Sequence, residues 1–136
     1  MIGFLFLLVH LFFALLILFL MLSFLTGGPF VPSNNKSAQS MIDIAGIKPG
    51  MTVYDLGSGD GRILLAAAKK GAKAIGIEIN PFLVLWSKIR CRDKNIIVRW
   101  NSLWNTDISD AHVVFVYLLP THMKKLEQKL TRELRR

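Results

Sequence analysis

The rhythm of apolar positions divides the chain into a uniform stretch, a broken one and an alternating one. Residues 2–25 are apolar on every side, with little polarity beyond His10 and Ser23. A helix of that length rises about 36 Å, enough for a hydrocarbon core of about 30 Å. No amphipathic stripe marks it for packing on a core. Residues 27–40 (GGPFVPSNNKSAQS) have the Gly, Pro, Ser and Asn of a linker, although the Phe30-Val31-Pro32 segment is apolar enough to fold back on the rest of the chain. After residue 41 short apolar runs alternate with helix formers. A short helix is expected over 41–46, capped by Ser40, then strands over 51–55 (MTVYD), 74–79 (AIGIEI), 96–100 and 112–119 (HVVFVYLL). Between them, helices are expected over 62–70, ended by Gly71, and from Pro81 to about Arg92. Thr121 is expected to cap a last helix over 123–134.

Strands with continuous apolar faces, separated by helices of about ten residues, predict an α/β fold with a parallel sheet covered on both faces. Right-handed crossovers are expected to put the first connecting helix and the later ones on opposite faces. A ligand in such a sheet sits beyond the carboxyl ends of the strands, where strand order reverses. That edge carries Asp55, Glu78, Asn101 and Pro120. The organisation expected is therefore a transmembrane helix over 1–26, a linker over 27–40 and one domain over 41–136.

Charge sharpens the first part of this picture. The net charge is +8, and no charged side chain precedes Lys36. A secretory signal would start basic, be shorter and end at a small-residue cleavage site, so a retained single-pass anchor is expected. Basic residues after it and none before it point the domain to the cytoplasmic (or equivalent matrix) side. Lys and Arg are scattered, without a run of five or aromatic interleaving, which suits solvated helix faces beside a membrane and not a nucleic-acid partner. Cys91 is the one cysteine. It forms neither an internal disulfide nor a cysteine-based zinc site, so a reducing compartment and no metal are expected.

The densest chemical signal is Asp55-Leu56-Gly57-Ser58-Gly59-Asp60-Gly61-Arg62. Its glycines let a loop turn tightly and let a ligand approach bare backbone, while the following helix offers unpaired N–H groups. Glu78 ends the next strand, where a carboxylate can accept hydrogen bonds from ribose hydroxyls. A dinucleotide fingerprint wants its third glycine three positions after the second, which here is Arg62. Asp55 and Asp60 would also repel a pyrophosphate. Both suit a cofactor carrying a sulfonium and an ammonium, and charge decides for S-adenosyl-L-methionine.

DLGSGDGR followed by GIEINP resembles the first and second motifs of class I S-adenosylmethionine-dependent methyltransferases. PFVPS at 29–33, the run at 55–90, NSLW at 101–104 and YLLP at 117–120 together resemble a narrower group. These are the membrane-anchored protein-lysine methyltransferases of adenine nucleotide translocase and ATP synthase c-subunit, with their prokaryotic relatives. The resemblance runs from about Phe30 to the C-terminus and includes the preceding apolar helix. It implies a Rossmann-like sheet of order 3-2-1-4-5-7-6, of which the sequence to Arg136 supplies about four strands, so the domain is expected to be C-terminally incomplete. It also implies that Asp55, Leu56, Gly57, Ser58, Gly59, Asp60 and Gly61 hold the methionine part of the cofactor. Glu78 would hold the ribose, with Asn101 and Ser102 beside the adenine; relatives commonly carry aspartate where Ser102 stands. Tyr117, Leu118 and Pro120 would border the methyl group and the target amine, and Phe30-Val31-Pro32 would close over the site.

The expected function is methyl transfer to a lysine of a membrane protein. The alternatives are a membrane-tethered cofactor-binding or interaction module without catalysis, and methylation of a lipid-soluble small molecule. No catalytic base is assigned: His112 and His122 are expected to be packing or surface residues.

Overall fold

The computed structural model describes the backbone of residues 2–25 and 34–134. The expected Phe30-Val31-Pro32 closure lies outside the described residues. The chain divides into two compact units, 1–30 and 31–136. The first is helix α1 (Ile2–Leu25), whose Gly3–Met21 stretch is long and apolar enough to cross a membrane and contains no buried residue.

The second unit begins with α2 (Asn35–Ile44). This helix corrects the expectation of a start after Ser40. Asn34 is the cap, its side chain accepting from Ser37 N–H at 2.7 Å, a favoured way to satisfy an orphan donor. The boundary expected at residue 40 therefore falls inside a helix. One face of α2 buries Ala38 and Ile42, while Asp43 on the other pairs with Lys70 at 2.9 Å.

Four parallel strands follow: β1 (Thr52–Leu56), β2 (Lys73–Glu78), β3 (Ile96–Trp100) and β4 (Val113–Val116), in the order β3-β2-β1-β4. Helix α3 (Arg62–Lys69) joins β1 to β2, α4 (Pro81–Arg90) joins β2 to β3, and α5 (Met123–Glu133) follows β4. Pleating sends alternate side chains to opposite faces. Val53 and Ala74 join Ile42, Leu64 and Ala67 in one cluster, and Tyr54, Leu56, Ile75, Ile77 and Ile108 form the other. Full burial of a side chain such as Leu64 contributes about 1.5–3 kcal/mol.

Two expectations about this layering are corrected. The steps β1 to β2 and β2 to β3 run in the same direction across the sheet, so right-handed crossovers put α3 and α4 on one face together. Ser87 and Cys91 accordingly pack at the start of α3. After the chain reverses to β4, the other face is covered by residues 103–111 and by Leu130 and Leu134 at the end of the chain. The fourth strand is also shorter than its apolar run, stopping at Val116.

Thr121 does not cap α5. A 3-10 turn, Pro120–His122, leads into the helix with no side-chain cap. The buried Lys129 fastens α5 instead, donating to the Thr106 carbonyl at 2.5 Å and to both Glu133 oxygens at 2.8 and 2.7 Å. His112 completes the sheet: its Nδ1 accepts from Thr52 N–H at 3.1 Å and its own N–H donates to the Thr52 carbonyl at 2.9 Å.

Candidate cofactor site

Order β3-β2-β1-β4 reverses between β1 and β4, so the loop leaving β1 lies at the switch point where open α/β sheets bind ligands. Gly57 turns that loop at φ +98°, and nothing stands within 4 Å of where its Cβ would be. The Gly57 and Ser58 N–H groups both donate to the Ile77 carbonyl, at 2.8 and 3.1 Å, folding the loop over β2. Close approach there depends on Gly76. A Cβ at this position would meet Leu64 Cδ1 at 2.5 Å and Ser58 Oγ at 2.7 Å.

Glu78 fastens the other end of the loop. One carboxylate oxygen, Oε2, accepts from Gly59 N–H at 2.9 Å; the second, Oε1, accepts from Ile79 and Asn80 N–H at 2.9 and 2.8 Å. Asn80, itself buried, caps α4 by accepting from Phe82 N–H at 3.0 Å. Gly61 admits α4 to the loop, because its missing Cβ would lie 2.4 Å from Cys91 Sγ and 2.5 Å from Ser87 Oγ. Burial pushes the Cys91 thiol up from its ordinary pKa, which opposes the thiolate a nucleophile needs.

The two loop carboxylates differ in state. Burial works against the Asp60 charge, but hydrogen bonds and charge from Arg62, with the charge of Arg90, hold its carboxyl below the usual range. Arg62 Nη2 approaches it at 2.6 Å and Arg90 Nη1 also pairs with it. Asp60 is thus ion-paired with both arginines. Asp55 is different. It is buried, accepts no hydrogen bond from any described residue, and is pushed up to about 7 by burial, then by the charges of Glu78 and Asp60.

The remaining sequence-predicted residues divide in two. Leu56 packs wholly in the core beneath the loop, and Ser58 Oγ is buried without a hydrogen-bond partner against Gly76. Asn101 stands next to Glu78, donating its N–H to the Glu78 carbonyl at 3.1 Å; its Oδ1 accepts from Ser102 N–H and its Nδ2 donates to Thr106 Oγ1. Ser102 Oγ caps a 3-10 turn, Leu103–Asn105, accepting from Trp104 N–H at 3.3 Å. Tyr117 follows Val116, the register partner of Leu56, so it lies at the same sheet edge, 82% exposed. Leu118 is half-buried beside it and Pro120 is exposed.

Sequence reasoning missed Gly76, Asn80, the Arg62–Asp60–Arg90 clamp and Trp100. Trp100 Nε1 donates to the Ile79 carbonyl at 2.9 Å, standing its exposed ring beside Glu78. Asn80-Pro81 was a legible cap signal; Arg90, thirty positions from its partner, carried none.

A buried acid without a hydrogen-bond partner among the described residues, an open cradle above Gly57 and a strand-end carboxylate with lone-pair capacity left fit a cationic nucleoside. This sheet and this edge define a Rossmann-like methyltransferase fold. The chain belongs to the ANTKMT methyltransferase domain family, which matches residues 55–136. It is 39% identical over 110 residues to the ATP synthase c-subunit lysine N-methyltransferase of Homo sapiens, covering 78% of this chain and 47% of that one. It is 36% identical over 121 residues to a protein-lysine N-methyltransferase of Saccharolobus islandicus, covering 84% and 74%. Among solved structures, an RNA methyltransferase from Salinibacter ruber in complex with S-adenosyl-L-homocysteine superposes with TM-score 0.73 at 37% identity, covering 76% of this chain and 71% of that one. The chain spans about half the length of the human relative.

Proposed function

We propose that this chain is an S-adenosylmethionine-dependent methyltransferase acting on a lysine of a membrane protein, held at the membrane by α1. The Asp55 carboxyl carries the cofactor reading. A buried acid that is raised by its burial and by the charges of two other carboxylates is relieved by a cation, and a pyrophosphate would worsen it. The names of the human and Saccharolobus relatives favour lysine as the acceptor. The apolar length of α1 favours an anchor, with the boundary of the catalytic unit before α2 rather than at residue 40.

When bound, the cofactor supplies an electrophilic methyl group on a sulfonium. Asp55 and the backbone of Gly57–Gly61 would hold its charged amino-acid end, and Glu78 would take a ribose hydroxyl. Asn101 and Ser102 flank the base. Alignment and exclusion of water do most of the work in such an in-line displacement. The acceptor lysine must arrive neutral although its ordinary pKa is about 10.4, and an apolar rim at Leu118 and Pro120 favours that form by desolvation. Tyr117 would face the methylammonium formed on transfer as a cation–π partner.

Titrating the full chain in detergent with S-adenosylmethionine and with NAD tests the cofactor; only the first should bind. Incubation with methyl-labelled cofactor and membrane extract should then label a protein band at lysine. Binding without transfer points to a cofactor-binding module, and label in lipid or in added RNA overturns the acceptor.

A further inference from the structure

Helix α4 wears its apolar face outward. At 3.6 residues per turn, Leu85, Trp86 and Ile89 fall on the side of the helix opposite the buried Val84 and Ser87. They are 60%, 57% and 50% exposed. Phe82, one turn earlier, extends the stripe towards the N-terminus of the helix. An exposed apolar helix face of this kind marks an interaction surface. Its surroundings are mainly basic: exposed Lys88, Arg92 and Lys94 stand at its side and C-terminal end, with Asp93 the one acid among them and none from Pro81 to Arg92.

We infer that α4 is a second membrane contact, lying in the interface of an anionic bilayer with Leu85, Trp86 and Ile89 among the acyl boundary. Aromatic and aliphatic residues on one face with flanking lysine and arginine are what an interfacial helix needs. Anionic headgroups supply the charge that complements Lys88, Arg92 and Lys94. Proximity comes from the anchor reading, on which this inference rests for that point alone. Residues 26–34, fully extended, reach no further than about 30 Å from the end of α1. The stripe begins four positions after Glu78, so a domain seated through α4 carries its cofactor edge beside the lipid. A lysine at the surface of a membrane-embedded protein is presented at that height.

The full chain, reconstituted into phosphatidylcholine vesicles with and without phosphatidylglycerol, tests this. Trp86 is left as the one indole by Trp100→Phe and Trp104→Phe, and alkaline extraction separately reports whether α1 is inserted. Trp86 emission should be blue-shifted and quenched by brominated lipid, more strongly with the anionic lipid and less at high salt. Leu85→Glu with Ile89→Glu, both exposed positions, should abolish the quenching while extraction is unchanged. Trp86 that emits as in water and escapes quenching overturns the inference, whatever α1 does. Trp86 that becomes shielded only as protein concentration rises overturns it in favour of self-association.

Discussion

Asp55→Asn separates the demands of folding from those of the cofactor. The carboxyl is buried and pushed from 3.8 to about 7, by burial first and by the charges of Glu78 and Asp60 after it. Between those values the folded chain holds a proton that the unfolded chain has released, so stability falls as pH rises through that window and levels off above about 7. The full shift corresponds to about 4 kcal/mol at about pH 8, an upper figure because Asn must bury an amide in the same place. Thermal melts of the full chain in detergent, without cofactor, should show the Asn variant more stable than the parent at about pH 8 and the two converging near pH 4. Cofactor binding should move the other way. Losing a charge-assisted contact costs about 1.5–3 kcal/mol, roughly 10- to 150-fold in Kd. The parent's affinity should also strengthen as pH rises to about 7, with no such slope in the variant. An Asn variant that melts below the parent at high pH, or binds equally tightly, would refute the reasoning.

Four further outcomes rest on the same geometry. Gly76→Ala drives a methyl into Leu64 and Ser58, and should cost about 1–3 kcal/mol by denaturant unfolding with a matching loss of cofactor affinity. Glu78→Gln can keep an oxygen for Ile79 and Asn80 but turns an NH2 towards Gly59 N–H, and should weaken cofactor binding by about 1–3 kcal/mol in calorimetry. Cys91→Ser should leave that binding intact, and the parent thiol should resist alkylation at neutral pH because burial raises its pKa. Asp60, held below the usual range, stabilises the fold above the ordinary carboxylate pKa. That contribution is lost as acid titrates it through its lowered value, so the Arg90→Gln variant should show a shallower acid limb in melts against pH.

Strand and helix identities from 51 to 100 were legible because each run is short, apolar and bounded by glycine, proline or asparagine. The strand over 96–100 has the limits its apolar run suggested, and α4 starts at the expected Pro81. Boundaries slipped where the same residue types serve two structures. His112 to Leu119 reads as one apolar run, yet only Val113–Val116 pairs with β1, and Tyr117–Leu119 leaves the ladder. Asn34 and Ser40 are both good caps, and the choice between them was made by burial of Ala38, which sequence periodicity over so short a helix did not show. At the site, glycine spacing and the acid at 78 were visible locally. The neutralisation of Asp60 was not, because Arg90 reaches it only once α4 lies beside α3.

Glu78 shows why the glycine loop and the strand-end acid occur together. A carboxylate offers about four lone-pair positions, and three are filled here by Gly59, Ile79 and Asn80 N–H. Oε1 is saturated by its own strand end, which fixes the orientation of the group. Oε2 holds the loop through one bond and keeps one position for a ligand. The same oxygen therefore sets the height of the loop above β2 and, in the proposed cofactor pose, would meet the sugar, so loop and ribose would share a single support. An acid placed elsewhere could bind a hydroxyl, but it would not at the same time draw Gly59 down onto β2. Without that pull, the cradle above Gly57 and the unpartnered Asp55 would lose their common geometry.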